Sequence, residues 1–270
     1  MKEMQLPLPT SLLLERFDAP GVRSIIITGS YARGKANPYS DLDLVRLTDG
    51  SEVPGEGSYL LDGVFVVVSN KSPDALEACF TDPRRAVAAI GALQTAIPLL
   101  DRDAYFTRLQ QRARAFTWTD ELQQQANRFA SEELVGLIEE VRKGLAGLRS
   151  KDIGRMLNAQ FGLTWSLSRV MMVQQGMVFA SSDNAVYEGV ATRIGLQSRW
   201  VRLRRQAFGI EDEHGTTPTL REQIIAGLWL YVETVCLLEA VLQAEDAPLI
   251  QHTVELIRRD TPPLPGFEQY

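Results

Sequence analysis

Two carboxylates, Asp41 and Asp43, stand two residues apart at the head of the apolar run LDLVRL, with ten residues between them and the pair Gly29-Ser30. Side chains at i and i+2 of a strand share a face, so the two carboxylates project together while Leu42 and Leu44 turn to the other side. Carboxylates held this close repel one another unless a cation lies between them. Hard oxygen ligands on a short span suit Mg²⁺, which takes one or two carboxylates together with substrate phosphate oxygens. Gly29 lets the backbone approach a phosphate closely, and Ser30 adds a hydroxyl and an amide. Taken singly, each feature is ordinary: Asp-x-Asp at a strand edge is usually solvated, and Gly-Ser is a common turn. In this order and spacing they describe a phosphate-and-metal site.

The elements that must position these groups are legible around them. VRSIIIT, residues 22–28, is short, β-branched and closed by Gly29, a buried strand. LDLVRL, residues 42–47, alternates as a second strand, and TDGSEVPGEG after it carries the Gly and Asp of a hairpin loop. GVFVVVS, residues 63–69, is apolar throughout and is expected to be a central strand. QTAIPLL, residues 94–100, is an edge strand, where Pro98 is tolerated. Helices are expected at 74–80 and 84–91. Beyond residue 101 the period changes to that of helices, over 119–147, 153–175, 184–208, 219–244 and 248–259. The fold class is therefore α+β: a small mixed-sheet domain over residues 1–115, then a helical bundle over 116–270. The tail TPPLPGFEQY is too rich in proline for a helix and is expected to be an extended arm.

Composition bounds the function. A chain of 270 residues with 45% apolar and 23% charged residues can bury a sizeable core. A net charge of −6 argues against sequence-independent nucleic-acid binding, which needs a basic surface. Cys79 and Cys236 form no metal-type pair, the N-terminal apolar run is too short for a signal peptide, and the helix over 219–244 is interrupted by charges; a cytoplasmic protein without a membrane span is the expectation. That helix reads as a central bundle helix or a subunit contact. Arg193, Arg199, Arg202, Arg204 and Arg205 spread around a helix as a solvated face, and Trp165, Trp200 and Trp229 fit core packing. His214 and His252 have no ligand cluster beside them, which speaks against a zinc site.

The run GSYARGKANPYSDLDL resembles the signature of the nucleotidyltransferase superfamily (the DNA polymerase beta-like group), in which Gly-Ser precedes Asp-x-Asp or Asp-x-Glu. More narrowly, the chain resembles the kanamycin-type aminoglycoside nucleotidyltransferases over roughly residues 20–195, through Gly29, Ser30, Arg33, Pro38-Tyr39-Ser40-Asp41, AAIGALQTAIPLLDRDAYFTRLQQRA and EELVGLIEEVRKGLAGLR. The resemblance implies transfer of a nucleoside monophosphate from a nucleoside triphosphate to an acceptor hydroxyl, aminoglycoside-like small molecules among the acceptors. It implies Mg²⁺ on Asp41 and Asp43, a nucleotide gripped by Gly29, Ser30, Arg33, Ser40 and Lys143, a general base at Glu139 (with Glu140 competing) and a homodimer. Glu139 and Lys143 are four apart and share a helix face, which is also what an ordinary surface ion pair looks like. One departure is clear: the family's third carboxylate falls on Val67, and Asp62 and Asp74 flank the strand without matching. That leaves an alternative, a weakly active or non-catalytic nucleotide-binding protein of antitoxin-like, regulatory type with a protein partner.

Overall fold

The computed structural model describes residues 6–179, 183–211 and 214–262. Two compact units emerge: Met1–Leu122 with Val178–Val186, and Gln123–Met177 with Tyr187–Tyr270. The expected C-terminal arm beyond residue 262 lies outside the described residues.

In the first unit, α1 (Thr10–Phe17) leads into β1 (Val22–Ile27), a single turn α2 (Gly29–Ala32) and β2 (Leu42–Thr48). There follow β3 (Gly57–Leu61), β4 (Val64–Lys71), α3 (Pro73–Thr81), α4 (Pro83–Thr95), β5 (Ile97–Asp101) and α5 (Tyr105–Arg114). The sheet runs β3-β4-β2-β1-β5, with β2 and β4 parallel and the other neighbours antiparallel. Alternation divides its side chains. Ile25, Ile27, Leu42, Leu44, Val66 and Val68 pack with Leu13 and Phe17 of α1 on one face. Ile26 and Leu47 pack on the other with Leu76, Ile90 and Phe106 of α3, α4 and α5. Pro98 sits on edge strand β5, as expected.

One expectation about the sheet is corrected. The segment after β2 is not a hairpin, because β2 and β4 run parallel; the hairpin is β3–β4, turned by Asp62 and Gly63 at positive φ. β4 is an interior strand, as expected, paired with β2 on one side and edge strand β3 on the other, with Phe65 exposed. Arg46, buried at the far end of β2, closes the connecting loop by donating to Asn70 Oδ1 and to the Pro54 and Gly55 carbonyls at 2.7–2.8 Å.

The second unit holds α6 (Asp120–Gly136), α7 (Ile138–Ser150), α8 (Ile153–Gln174), α9 (Asp183–Ile194), α10 (Arg199–Ala207), α11 (Leu220–Leu238) and α12 (Ala247–Asp260), the first residues of α6 and of α9 belonging to the first unit. A break at Leu137 divides the pattern expected as one helix over 119–147, and Gly195 at positive φ divides the one over 184–208. Helix α11 packs against α8, α10 and α12. Leu220–Val241 is long and apolar enough to cross a membrane by composition, yet 67% of its most apolar window is buried, the environment of a central bundle helix. Two expectations fail in this unit. Arg204 is not solvated: only 1% exposed, it donates to Ser168 Oγ and the Tyr187 carbonyl, both at 2.7 Å, and burial lowers its pKa to about 10. Trp165 is not core but exposed, whereas Trp200 and Trp229 are buried.

Candidate functional site

The first unit gathers Gly29, Ser30, Arg33, Asp41 and Asp43 where β1 ends and β2 begins. The Thr28 amide donates to the Asp43 carbonyl at 3.0 Å, which fixes the end of one strand against the start of the other. The chain then turns at Gly29 with φ +68°, a conformation that costs a side-chain-bearing residue strain. A Cβ on Gly29 would fall on Asp43 Oδ2, so the missing side chain is what gives this carboxylate its place. The turn closes when the Lys35 amide donates to the Ser30 carbonyl at 2.9 Å.

Asp41 lies just before β2, presented by a turn that Asn37 organises. The Ser40 amide donates to the Asn37 carbonyl, the Asn37 amide to Ser40 Oγ and the Tyr39 amide to Asn37 Oδ1, each at 2.9 Å. Ser40 Oγ thus spends an acceptor position inside its own turn. Asp43 shares its face of β2 with Val45 and Leu47, at the end where that face opens. Burial raises its pKa first, the charge of Asp41 raises it further, and Arg33 opposes them. Ser30 Oγ is buried with no hydrogen-bond partner. Two neighbouring carboxylates, one of them desolvated, and a buried, unanswered hydroxyl on the residue after Gly29 form an oxygen donor set that a hard divalent cation with phosphate oxygens fits.

Val67 lies directly opposite Asp43 in the parallel β2–β4 register. Its side chain carries no oxygen that could join Asp41 and Asp43. Consistent with that, among the described residues no three of His, Cys, Asp and Glu form a metal-binding group.

The second unit holds the remaining candidates, Glu139 and Lys143, on α7. Lys143 Nζ lies 2.9 Å from Glu139 Oε1 and 2.9 Å from Glu140 Oε1, and these two bonds raise its pKa, Glu140 contributing the more. The two glutamates differ sharply. Glu140 is 22% exposed and is tucked against α8 at Gly162, where a Cβ would come within 2.9 Å of its Cγ. Glu139 is 75% exposed and opens onto a depression of about 700 Å³ lined also by Arg142, Lys143, Arg149, Arg155 and Asp260. This depression has no local signature in the sequence, because α7, α8 and α12 each contribute to it.

Comparison with known proteins gives the first unit a family likeness. Residues 11–81, from α1 through the carboxylate corner to α3, match the family model of the nucleotidyltransferase domain. The match supports nucleotidyl transfer as the class of activity and a nucleoside triphosphate as substrate. No curated protein matches the chain. Among solved structures, a nucleotidyltransferase-like protein from Exiguobacterium sibiricum is similar at 18% identity over 94% of this chain and 80% of its own length, with a TM-score of 0.47.

Proposed function

We propose that the protein transfers a nucleoside monophosphate from a nucleoside triphosphate to an acceptor hydroxyl. The observation that carries this reading is the corner itself, where Gly29 makes room for a desolvated Asp43 next to Asp41 and the unpartnered hydroxyl of Ser30. Asp41 and Asp43 would hold Mg²⁺, which when bound neutralises them and draws charge from the triphosphate. Ser30 and Arg33 bind phosphate oxygens, and the Ser40 hydroxyl donates to the same ligand. The acceptor oxygen forms a bond to the α-phosphorus, the bond from that phosphorus to the bridging oxygen breaks, and pyrophosphate leaves. The acceptor's proton passes to Glu139, a role the sequence resemblance assigns and its exposed carboxylate permits, and Lys143 offsets the charge that develops.

Arg142, Lys143, Arg149 and Arg155 line the depression with Glu139 and Asp260. Lys143 is paired with Glu139 and Glu140, and Arg155 with Asp152, so the lining is mixed in charge and selects neither an anionic nor a cationic acceptor. Val67 supports a second reading, nucleotide binding with little or no turnover.

Calorimetry with ATP, GTP, CTP and UTP tests the proposal, each with and without Mg²⁺, on the wild type and on Asp41→Ala/Asp43→Ala. Mg²⁺-dependent binding that disappears in the double variant is the expected result, and absence of binding by every nucleotide would overturn it. Pyrophosphate release with anionic and cationic acceptors then separates turnover from binding alone.

A further inference from the structure

Helix α8 carries four large apolar side chains on its outer face: Ile153, Leu157, Phe161 and Trp165 are 62%, 50%, 68% and 45% exposed. They recur every four residues, which places them on a single ridge. The opposite face of the same helix packs inward through Ala159, Leu163, Leu167, Val170 and Met171. The ridge is therefore additional to what the bundle needs, and a contiguous apolar patch of this size marks an interaction surface.

We infer that this ridge is the contact by which a second copy of the chain docks, α8 against α8 about a two-fold axis. The sequence resemblance implies two copies but names no face; the face follows from α8 alone. Equal spacing makes the ridge self-complementary. With an axis level with residue 159, Ile153 meets the partner's Trp165, and Leu157 meets the partner's Phe161. Ridges of the i±4 type laid into one another cross at about −50°, the commonest helix packing.

Charge and area agree with a symmetric partner. From Ile153 to Ser168 the one charged residue is Arg155, and its guanidinium is paired with Asp152, Nε to Oδ2 at 3.3 Å, so the two-fold brings no unpaired like charges together. The four side chains present roughly 500 Å² of apolar surface, taking about 200 Å² for a whole aliphatic and about 250 Å² for a whole aromatic side chain. A stable interface buries about 800 Å² per partner, of which about 65% is apolar in homodimers. The ridge supplies an apolar share of that size, with Arg155 and Asn158 beside it as polar rim.

Sedimentation equilibrium on the full chain without nucleotide, from low micromolar concentration upward, tests the inference apart from any catalytic reading. The wild type is expected to be a dimer, and Leu157→Glu/Phe161→Glu a monomer with an unchanged circular dichroism spectrum, because both side chains are already exposed. Phe161→Gln adds no charge and is expected to weaken the dimer at least tenfold, which keeps the test informative should the double variant misfold. A wild type that stays monomeric over the whole range overturns the inference. A dimer that neither variant weakens overturns it too, since some other face would then hold the copies together.

Discussion

The carboxylate corner of the first unit and the glutamate face of the second are built by opposite means. At the corner, backbone geometry leaves each group little choice: Gly29 is fixed at φ +68°, Thr28 is bonded to the Asp43 carbonyl, and Ser30 Oγ is buried without a partner. On α7, Glu139 is a helix-surface carboxylate held by an ion pair to Lys143. The first arrangement holds desolvated, repelling groups in place, so the protein bears a cost that a cation bound as proposed would relieve. The second costs the fold almost nothing, since it is a surface ion pair. Substitutions should therefore move stability and ligand binding together or against each other at the corner, and leave stability untouched at Glu139.

The largest expected effect comes from Gly29→Ala. A side chain at φ +68° is strained by about 1–3 kcal/mol, and its Cβ would also displace the Asp43 carboxylate. Urea denaturation should show a loss of at least that size, and calorimetry should show no Mg²⁺-dependent nucleotide binding. A variant that folds less stably but binds as the wild type does would break the comparison, since the corner would then not depend on its backbone.

Asp43→Asn should separate the two quantities. The pKa of Asp43 is raised in the folded chain, so its contribution to stability is fully present below its ordinary value of 3.8 and is lost as the pH rises through the raised value. At pH 7 the ionised carboxylate is a burden to the metal-free protein, and asparagine removes it. Melting curves without metal should therefore show the variant more stable than the wild type at pH 7, with the difference shrinking as the pH falls toward 3.8. Mg²⁺-dependent nucleotide affinity should fall by on the order of 2–5 kcal/mol, the loss expected when one member of a close charge contact is removed. Equal stability at both pH values would show that Asp43 is solvated after all.

How far each region could be read from the sequence follows from the range of its contacts. Strands β1 and β2, and the residues Gly29, Ser30, Asp41 and Asp43, are local: a β-branched run, a two-residue period and a turn declare themselves within about twenty residues. Strand β3 escaped because GSYLL follows a stretch dense in Gly, Pro and Glu that reads as loop, and only the long-range parallel pairing of β2 with β4 excludes a hairpin there. Arg204 and Trp165 were misassigned for one reason. Helical periodicity shows which residues share a face, but which face is covered depends on α8, α9 and α11 arriving from elsewhere in the chain. The contrast between Glu139 and Glu140 was equally invisible, because it hangs on Gly162, more than twenty residues away, leaving room for one carboxylate and not the other.

The smallest effect on the fold, and the sharpest test of the comparison, is Glu139→Gln. Its carboxylate is three-quarters exposed, and Glu140 stays 2.9 Å from Lys143 when Glu139 loses its charge, so the ammonium keeps an ionic partner. Thermal melting should shift by no more than about 2 °C, as for a surface substitution that touches no special feature. If Glu139 takes the acceptor's proton, turnover should fall by about 10²–10⁴-fold, the usual worth of a general base, while nucleotide affinity holds because the phosphates are gripped at the corner. Glu140→Gln is the matched control: it alters a carboxylate packed against α8, so it should disturb stability more and leave the proton transfer in place. Should Glu140→Gln be the variant that loses turnover at unchanged nucleotide affinity, the base would be the buried glutamate, and the active face of α7 would be preorganised in the same way as the corner.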